Sequence, residues 1–384
     1  MNLYFDNAAT SFPKPQQVHE AILDYMVNIG TNPGRGAYST ALNADRLVYN
    51  TREALANFFN FPKPENVIFT LNITHALNIL IKSIIKPHWH VITTTMEHNS
   101  VLRPLYALKN SINFDLDVLP CSTEGLLDIN TFNDHIKTNT RLVILSHASN
   151  VVGTIQHIEL IGKICKKRGI YLIIDAAQSC GSIPVDFRAI NCNALCFTGH
   201  KGLLGPQGIG GFLIDDILNE EASTFYEGGT GSTSNSLQQP NFLPDKFECG
   251  TLNSPGIAGL LASINYINSN GLLAIQQSEE YLTDYFIKNI LNIKNVILFG
   301  PKDSKSKTSV ISLKHSAMDN SEFSFLLSNN YNIMTRSGLH CAPLAHKTIG
   351  TFPSGTVRFS FGPFHNKADL DFLLSSINTL SNNI

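Results

Sequence analysis

Between residues 90 and 200 the chain alternates two hydrophobic patterns. Short, nearly unbroken apolar runs occur at HVITTTM (90–96), RLVILSHAS (141–149), IYLIIDAA (170–177) and ALCFTGH (194–200), each ending in polar residues. Between them, IELIGKICKKRG (158–169) spaces its apolar residues at helical intervals and closes on a glycine. Unbroken apolar runs of strand length separated by helices predict a parallel sheet covered on both faces. In such sheets ligands sit beyond the carboxyl ends of the strands. His98, Asn150, Asp175 and Lys201 each fall at or just past such an end.

The pattern changes after residue 226. Residues 227–255 are rich in Gly, Ser, Thr, Asn and Pro and predict a long loop, a feature that compact domains often keep for function. Helical patterns at 256–268 and 275–292 lead to a second unit, with VILFG, SVISLK and TVRFSFG as strands and DLDFLLSSINTL as a final helix. The expected fold class is α/β. A large domain over residues 14–255 has a mostly parallel central sheet, and residues 1–13 join 256–384 in a smaller α+β domain.

Composition narrows the classes. With 384 residues, 43% hydrophobic and 15% charged, the chain can bury a substantial core. A net charge of −2 gives no electrostatic case for nucleic acid or an anionic membrane. The most apolar stretch, ALNILIKSII, is short and carries Lys82, which suits a buried helix and not a membrane span. MNLYFDNAAT lacks the basic-then-apolar order of a signal peptide. The seven cysteines are odd in number, scattered and without a CxxC, so a reduced, cytoplasmic setting is expected. Cys192 and Cys196 stand among apolar neighbours, as buried thiols do, and the 13 histidines show no HExxH; no metal site is expected.

The stretch FTGHKGLLGPQGIGG (197–211) sets Lys201 between an apolar run and a glycine-rich segment. A Walker phosphate loop requires Lys after Gly and before Ser or Thr; here Lys201 follows His200 and precedes Gly202, so the pattern fails. The other reading is a lysine that bonds an aldehyde cofactor. Pyridoxal phosphate would need a carboxylate on its ring nitrogen, donors near its ring hydroxyl, a flat group over its face and a phosphate site at a helix N-terminus. Asp175 ends a strand and suits the first role, Asn150 and Gln178 the second, and His98 the third. FTLNITHALNILIKSI (69–84) offers a strand, a turn with Thr74 and His75, and a helix for the phosphate. Singly, each residue has an ordinary structural reading, such as a strand-end cap, a turn residue or a solvated lysine. Their placement on successive strand ends favours a cofactor site.

At these residues the sequence resembles the class V aminotransferase-type proteins of fold type I, within the cysteine desulfurase and selenocysteine lyase group. YFDNAATS (4–11), NPGRGAYS (32–39), MEHNS (96–100), SNVVGT (149–154), DAAQS (175–179), TGHKGLLGPQGIG (198–210), FECGTLNSPGIAGL (247–260) and RSGLHCAPLAHKTIGT (336–351) follow in the group's order over nearly the whole chain. The resemblance implies that Lys201 is the lysine bonded to the cofactor and Asp175 its pyridinium partner. Gln178 and Asn150 would face the ring hydroxyl, and His98 would stack on the ring. Thr74, Thr198 and His200 would hold the phosphate with neighbouring His75, and Thr251 would reach the phosphate of a second subunit. Arg358 would clamp the substrate's α-carboxylate, with Asn150 and Arg35 beside it; a planar guanidinium matches a carboxylate bidentately. His75 and Asn99 stand where the group is expected to carry an acidic residue and a second histidine.

Cys341 decides the expected reaction. In RSGLHCAP it matches the group's sulfur-accepting cysteine, which implies conversion of L-cysteine to L-alanine with the sulfur left as a persulfide. The alternatives are a selenocysteine lyase, or another class V lyase or aminotransferase. The resemblance also implies a homodimer with active sites at the interface, an amino acid substrate and a protein that collects the sulfur, for instance for iron–sulfur clusters. His340 neighbours the thiol, but on a strand the two side chains would point opposite ways.

Overall fold

The computed structural model describes residues 3–34 and 36–382. The four apolar runs form strands His90–Thr94, Thr140–Ser146, Tyr171–Asp175 and Ala194–Thr198. They sit side by side and parallel, with Asp115–Leu119 added parallel at one edge. Strands Gly210–Ile214 and Val67–Thr70 complete a seven-stranded sheet, both paired antiparallel to their neighbours. The architecture is thus α/β with a mostly parallel central sheet. The predicted crossover helix spans Ile158–Arg168 and stops at Gly169, whose φ of 65° gives the left-handed cap that glycine adopts without a steric cost.

Two apolar clusters cover the faces of this sheet. Leu145, Ile174, Leu195 and Phe197 pack in one, with Leu55 of helix Ser39–Phe58 and Phe59 just past its end; Ile144, Ile173, Cys196 and Phe212 pack in the other, with Leu77 and Leu80 of helix Ile73–Ile84. Cys165, Cys180, Cys192 and Cys196 are buried, and all seven cysteines are free thiols. Residues 222–253 carry no helix or strand. Helix Ser254–Asn270 begins where Pro255 supplies a preset φ and Asn253 Oδ1 accepts from Gly256 N at 3.1 Å. Its Ile257, Leu260, Ile264 and Ile267 join the core of the large sheet.

The second unit has its own core. A four-stranded antiparallel sheet runs in the order Arg336–Gly338, Thr356–Ser360, Val310–His315, Val296–Phe299. Helices Leu272–Ile290, Asn320–Tyr331 and Lys367–Asn382 cover it with Phe286, Phe323 and Ile377. The N-terminal segment is stitched into this unit. Strand Leu3–Tyr4 pairs with Ile333–Met334, and Ser360 N donates to Phe5 O at 2.8 Å. None of the helices is long and apolar enough to cross a membrane among the described residues.

Candidate active site

The parallel strands deliver their carboxyl ends to one place. Ser146 and Asp175 are register partners, as are Asp175 and Cys196 two residues before Thr198. Beyond these ends lies a cavity of about 470 Å³. Thr74, His98, Asn150, Asp175, Gln178, Thr198, His200 and Lys201 all line it, so eight of the residues singled out from the sequence converge. Asn72, Ser100 and Ser146 line it as well and were not anticipated; Ser146 was findable, since it ends an apolar run as Asp175 does.

Lys201 reaches the cavity from a tight turn. A Cβ on Gly202 would lie 2.3 Å from Cys180 O, and one on Gly181, at φ 85°, would lie 2.1 Å from Gly202 O. The turn after the Asp175 strand and the turn holding Lys201 therefore touch backbone to backbone, which explains the glycine after the lysine. The Lys201 amine borders the cavity but is surrounded by protein, and this desolvation holds its pKa down to about 8, against a smaller upward pull from Asp175. Burial pushes Asp175 up, while the Ala177 N–H at 2.9 Å and Lys201 draw it back down.

His98 caps helix Asn99–Lys109, its Nδ1 accepting from Ser100 N at 3.0 Å. Desolvation, then Lys201 and Arg358, hold its pKa near 4. The ring is therefore neutral, with its proton on Nε2. His200 is likewise held near 4 by burial. Thr198 Oγ1 and His200 Nδ1 are buried without hydrogen-bond partners. Residues Asn72–Thr74 bring the start of helix Ile73–Ile84 to the same wall, where first-turn N–H groups favour an anion. These unpartnered groups fit a phosphorylated ligand.

Other predicted residues stand apart. His75 does not line the cavity and stacks on Tyr226, ring centroids 5.7 Å apart. Thr251 lines a separate groove with Arg52, Asp45 and Glu248. Arg35 lies outside the described residues. Arg358 is buried behind Asn150, donating through Nη1 to Asn150 O at 2.9 Å, and Nη2 pairs with Asp6 at 2.9 Å. Asp6 went unassigned in the sequence, although it stands within YFDNAATS.

Cys341 is exposed and not on a strand. The strand ends at Gly338, and His340 and Cys341 take successive left-handed conformations, φ 48° and 56°. His340 Nε2 lies 3.3 Å from Thr356 Oγ1, and its pKa is depressed to about 2 by burial and then by Arg358, so it stays neutral. Cys341 O accepts from Asn99 N at 2.8 Å, which moors the thiol's turn beside His98.

The family model for class-V aminotransferases matches residues 3–373. A probable cysteine desulfurase of Methanothermobacter thermautotrophicus is 34% identical over 97% of this chain and 93% of its own length. A cysteine desulfurase of Yersinia pestis is 31% identical over 98% of this chain and 92% of its own. The apo structure of a cysteine desulfurase from Thermococcus onnurineus superposes with a TM-score of 0.94 at 30% identity, covering 100% of this chain and 95% of that one. With a family model spanning both units and a fold that gathers the expected side chains around one cavity, the chain belongs to the class-V aminotransferase family.

Proposed function

We propose that this protein is a pyridoxal-phosphate enzyme that converts L-cysteine to L-alanine, with Cys341 taking the sulfur as a persulfide. The observation that carries this reading is the convergence of eight predicted groups on one cavity, with the Cys341 turn bound to its wall. When bound, the cofactor supplies an aldehyde for an amine and an electron-poor ring that stabilises negative charge on the substrate's α carbon. Thr198, His200 and Thr74 would hold its phosphate, Asn150 and Gln178 would meet its ring hydroxyl, and His98 would cover one face. Asp175 holds a proton at the ring nitrogen. Lys201, whose amine is held down to about 8 and so has a neutral fraction near physiological pH that an ordinary lysine lacks, takes the proton from the α carbon. Arg358 orients the α-carboxylate, and its Nε, buried without a partner, is the available donor. The Cys341 sulfur bonds to the substrate sulfur as the substrate's Cβ–S bond breaks. The carbon keeps that electron pair and is then protonated, giving alanine.

The names of the similar proteins support the same substrate. A homodimer is supported by exposed Leu23, Met26, Val27, Leu42 and Tyr49 on the N-terminal helices, with exposed Tyr38 just before helix Ser39–Phe58, and by the groove holding Thr251. A protein sulfur acceptor and a cytoplasmic setting complete the proposal; free thiols throughout the described residues suit the latter. The test is to expose the cofactor-loaded protein to L-cysteine without reductant. Alanine in solution and one added sulfur on the Cys341 peptide are expected. Pyruvate in place of alanine, or turnover of L-selenocysteine alone, would move the assignment to a lyase.

A further inference from the structure

Asn150 stands between the cavity and the nucleophile. Its side-chain Nδ2 donates to His340 O at 2.7 Å, while its own carbonyl accepts from Arg358 at 2.9 Å. It is buried, so the amide has little room to swing away. The turn that it holds needs restraint, because two successive residues bearing Cβ atoms sit at φ 48° and 56°, a backbone that non-glycine residues rarely adopt in series. Beyond Asn150, the turn is held by Asn99 N on Cys341 O, by Ala342 N on Leu339 O at 2.9 Å, and by the longer contact of His340 with Thr356. Asn150 Nδ2 makes the shortest of these bonds, and it does so from the cavity wall.

We infer that Asn150 is a positioning residue for Cys341: the amide that borders the cofactor cavity also fixes the left-handed turn presenting the thiol. One N–H is committed to His340, and the second remains for the ring hydroxyl. The consequence for catalysis rests on the desulfurase reading; the restraint on the turn does not.

The test uses Asn150→Ala and Asn150→Asp. The aspartate keeps the size but sets an acceptor against the His340 carbonyl. Hydrogen exchange of the segment 337–343 is followed by mass spectrometry, with and without pyridoxal phosphate, so that a change in cofactor affinity does not obscure the turn. Exchange there should rise about three- to tenfold in both variants, the worth of one hydrogen bond, with the strands of the large sheet unchanged. Alanine production from L-cysteine should lose kcat while KM stays within about twofold. No rise in that segment in either variant, or a rise spread evenly over the chain, overturns the inference. If the turn loosens but wild-type protein makes no alanine, the positioning role stands and the desulfurase reading falls. If wild-type protein makes alanine and the turn does not respond, the reverse holds.

Discussion

Asp6 and Arg358 form a buried ion pair across 352 residues of sequence, with Asp6 Oδ1 accepting from Nη2 at 2.9 Å. The other carboxylate oxygen accepts from Arg336 Nε at 2.9 Å. Arg336 and Arg358 are direct partners on neighbouring antiparallel strands, an arrangement of like charges that repels without an anion between them. Asp6 is that anion, and it fixes one edge of the guanidinium fork.

Asp6→Asn should therefore destabilise the protein. It leaves a buried guanidinium without its counter-charge, a change that costs about 3–5 kcal/mol in comparable pairs. Urea denaturation at neutral pH measures it. A loss below about 0.5 kcal/mol, the ordinary range of a surface substitution, would show that Arg358 finds its compensation elsewhere.

The depressed Lys201 amine has a pH signature. Capture of pyridoxal phosphate by cofactor-free protein should quicken as pH rises through about 8 and then level off. An ordinary lysine would keep quickening toward about 10.4. Absorbance and borohydride trapping follow the reaction, and Lys201→Ala should give no trapped product at any pH. A rate still climbing at high pH in the wild type contradicts the depressed amine.

Cys341→Ser separates sulfur transfer from the rest of the chemistry. A hydroxyl cannot carry a persulfide, while Lys201 and Asp175 remain in place. Alanine formation from L-cysteine should fall at least about 100-fold with the cofactor's absorption unchanged, a loss of about 2.7 kcal/mol in transition-state stabilisation or more. Normal turnover by the serine variant would remove Cys341 from the reaction.

Glu279, on helix Leu272–Ile290, is pushed up to about 8 by burial, with partial relief from Ser182 and from Ser309, whose Oγ donates at 3.3 Å. The folded protein thus keeps a proton there that the unfolded chain has already released above the ordinary glutamate value of 4.5. Between these values the native state binds more protons, so this group's contribution to stability falls as pH rises. Glu279→Gln removes the titration. The stability of the variant relative to wild type should increase from pH 5 to 8, by at most about 1.4 kcal/mol per pH unit. A flat difference would mean that the native carboxylate is ionised throughout.

Much of the site was legible along the chain because the signals are local. A strand buried on both faces is an unbroken apolar run, and the polar residue that ends it falls at the sheet's carboxyl edge, as Asp175 and Thr198 do. The Lys201 turn announced itself through its glycines, and Gly202 proved to be there for contact with Cys180. Cys341 stands out by its motif, but the left-handed turn that carries it is a conformation that His340 and Cys341 do not advertise by residue type.

The remaining features join residues that no local pattern links. Nothing near Asp6 shows that Arg358 will meet it, and nothing in SNVVGT shows that Asn150 will hold His340 O. The antiparallel entry of Gly210–Ile214 into the sheet and the removal of His75 to Tyr226 are of the same kind. Periodicity reports how each segment meets water and core, which is a property of that segment. Which buried donor meets which acceptor depends on how two units of the chain pack together, and that is set only when both cores have closed.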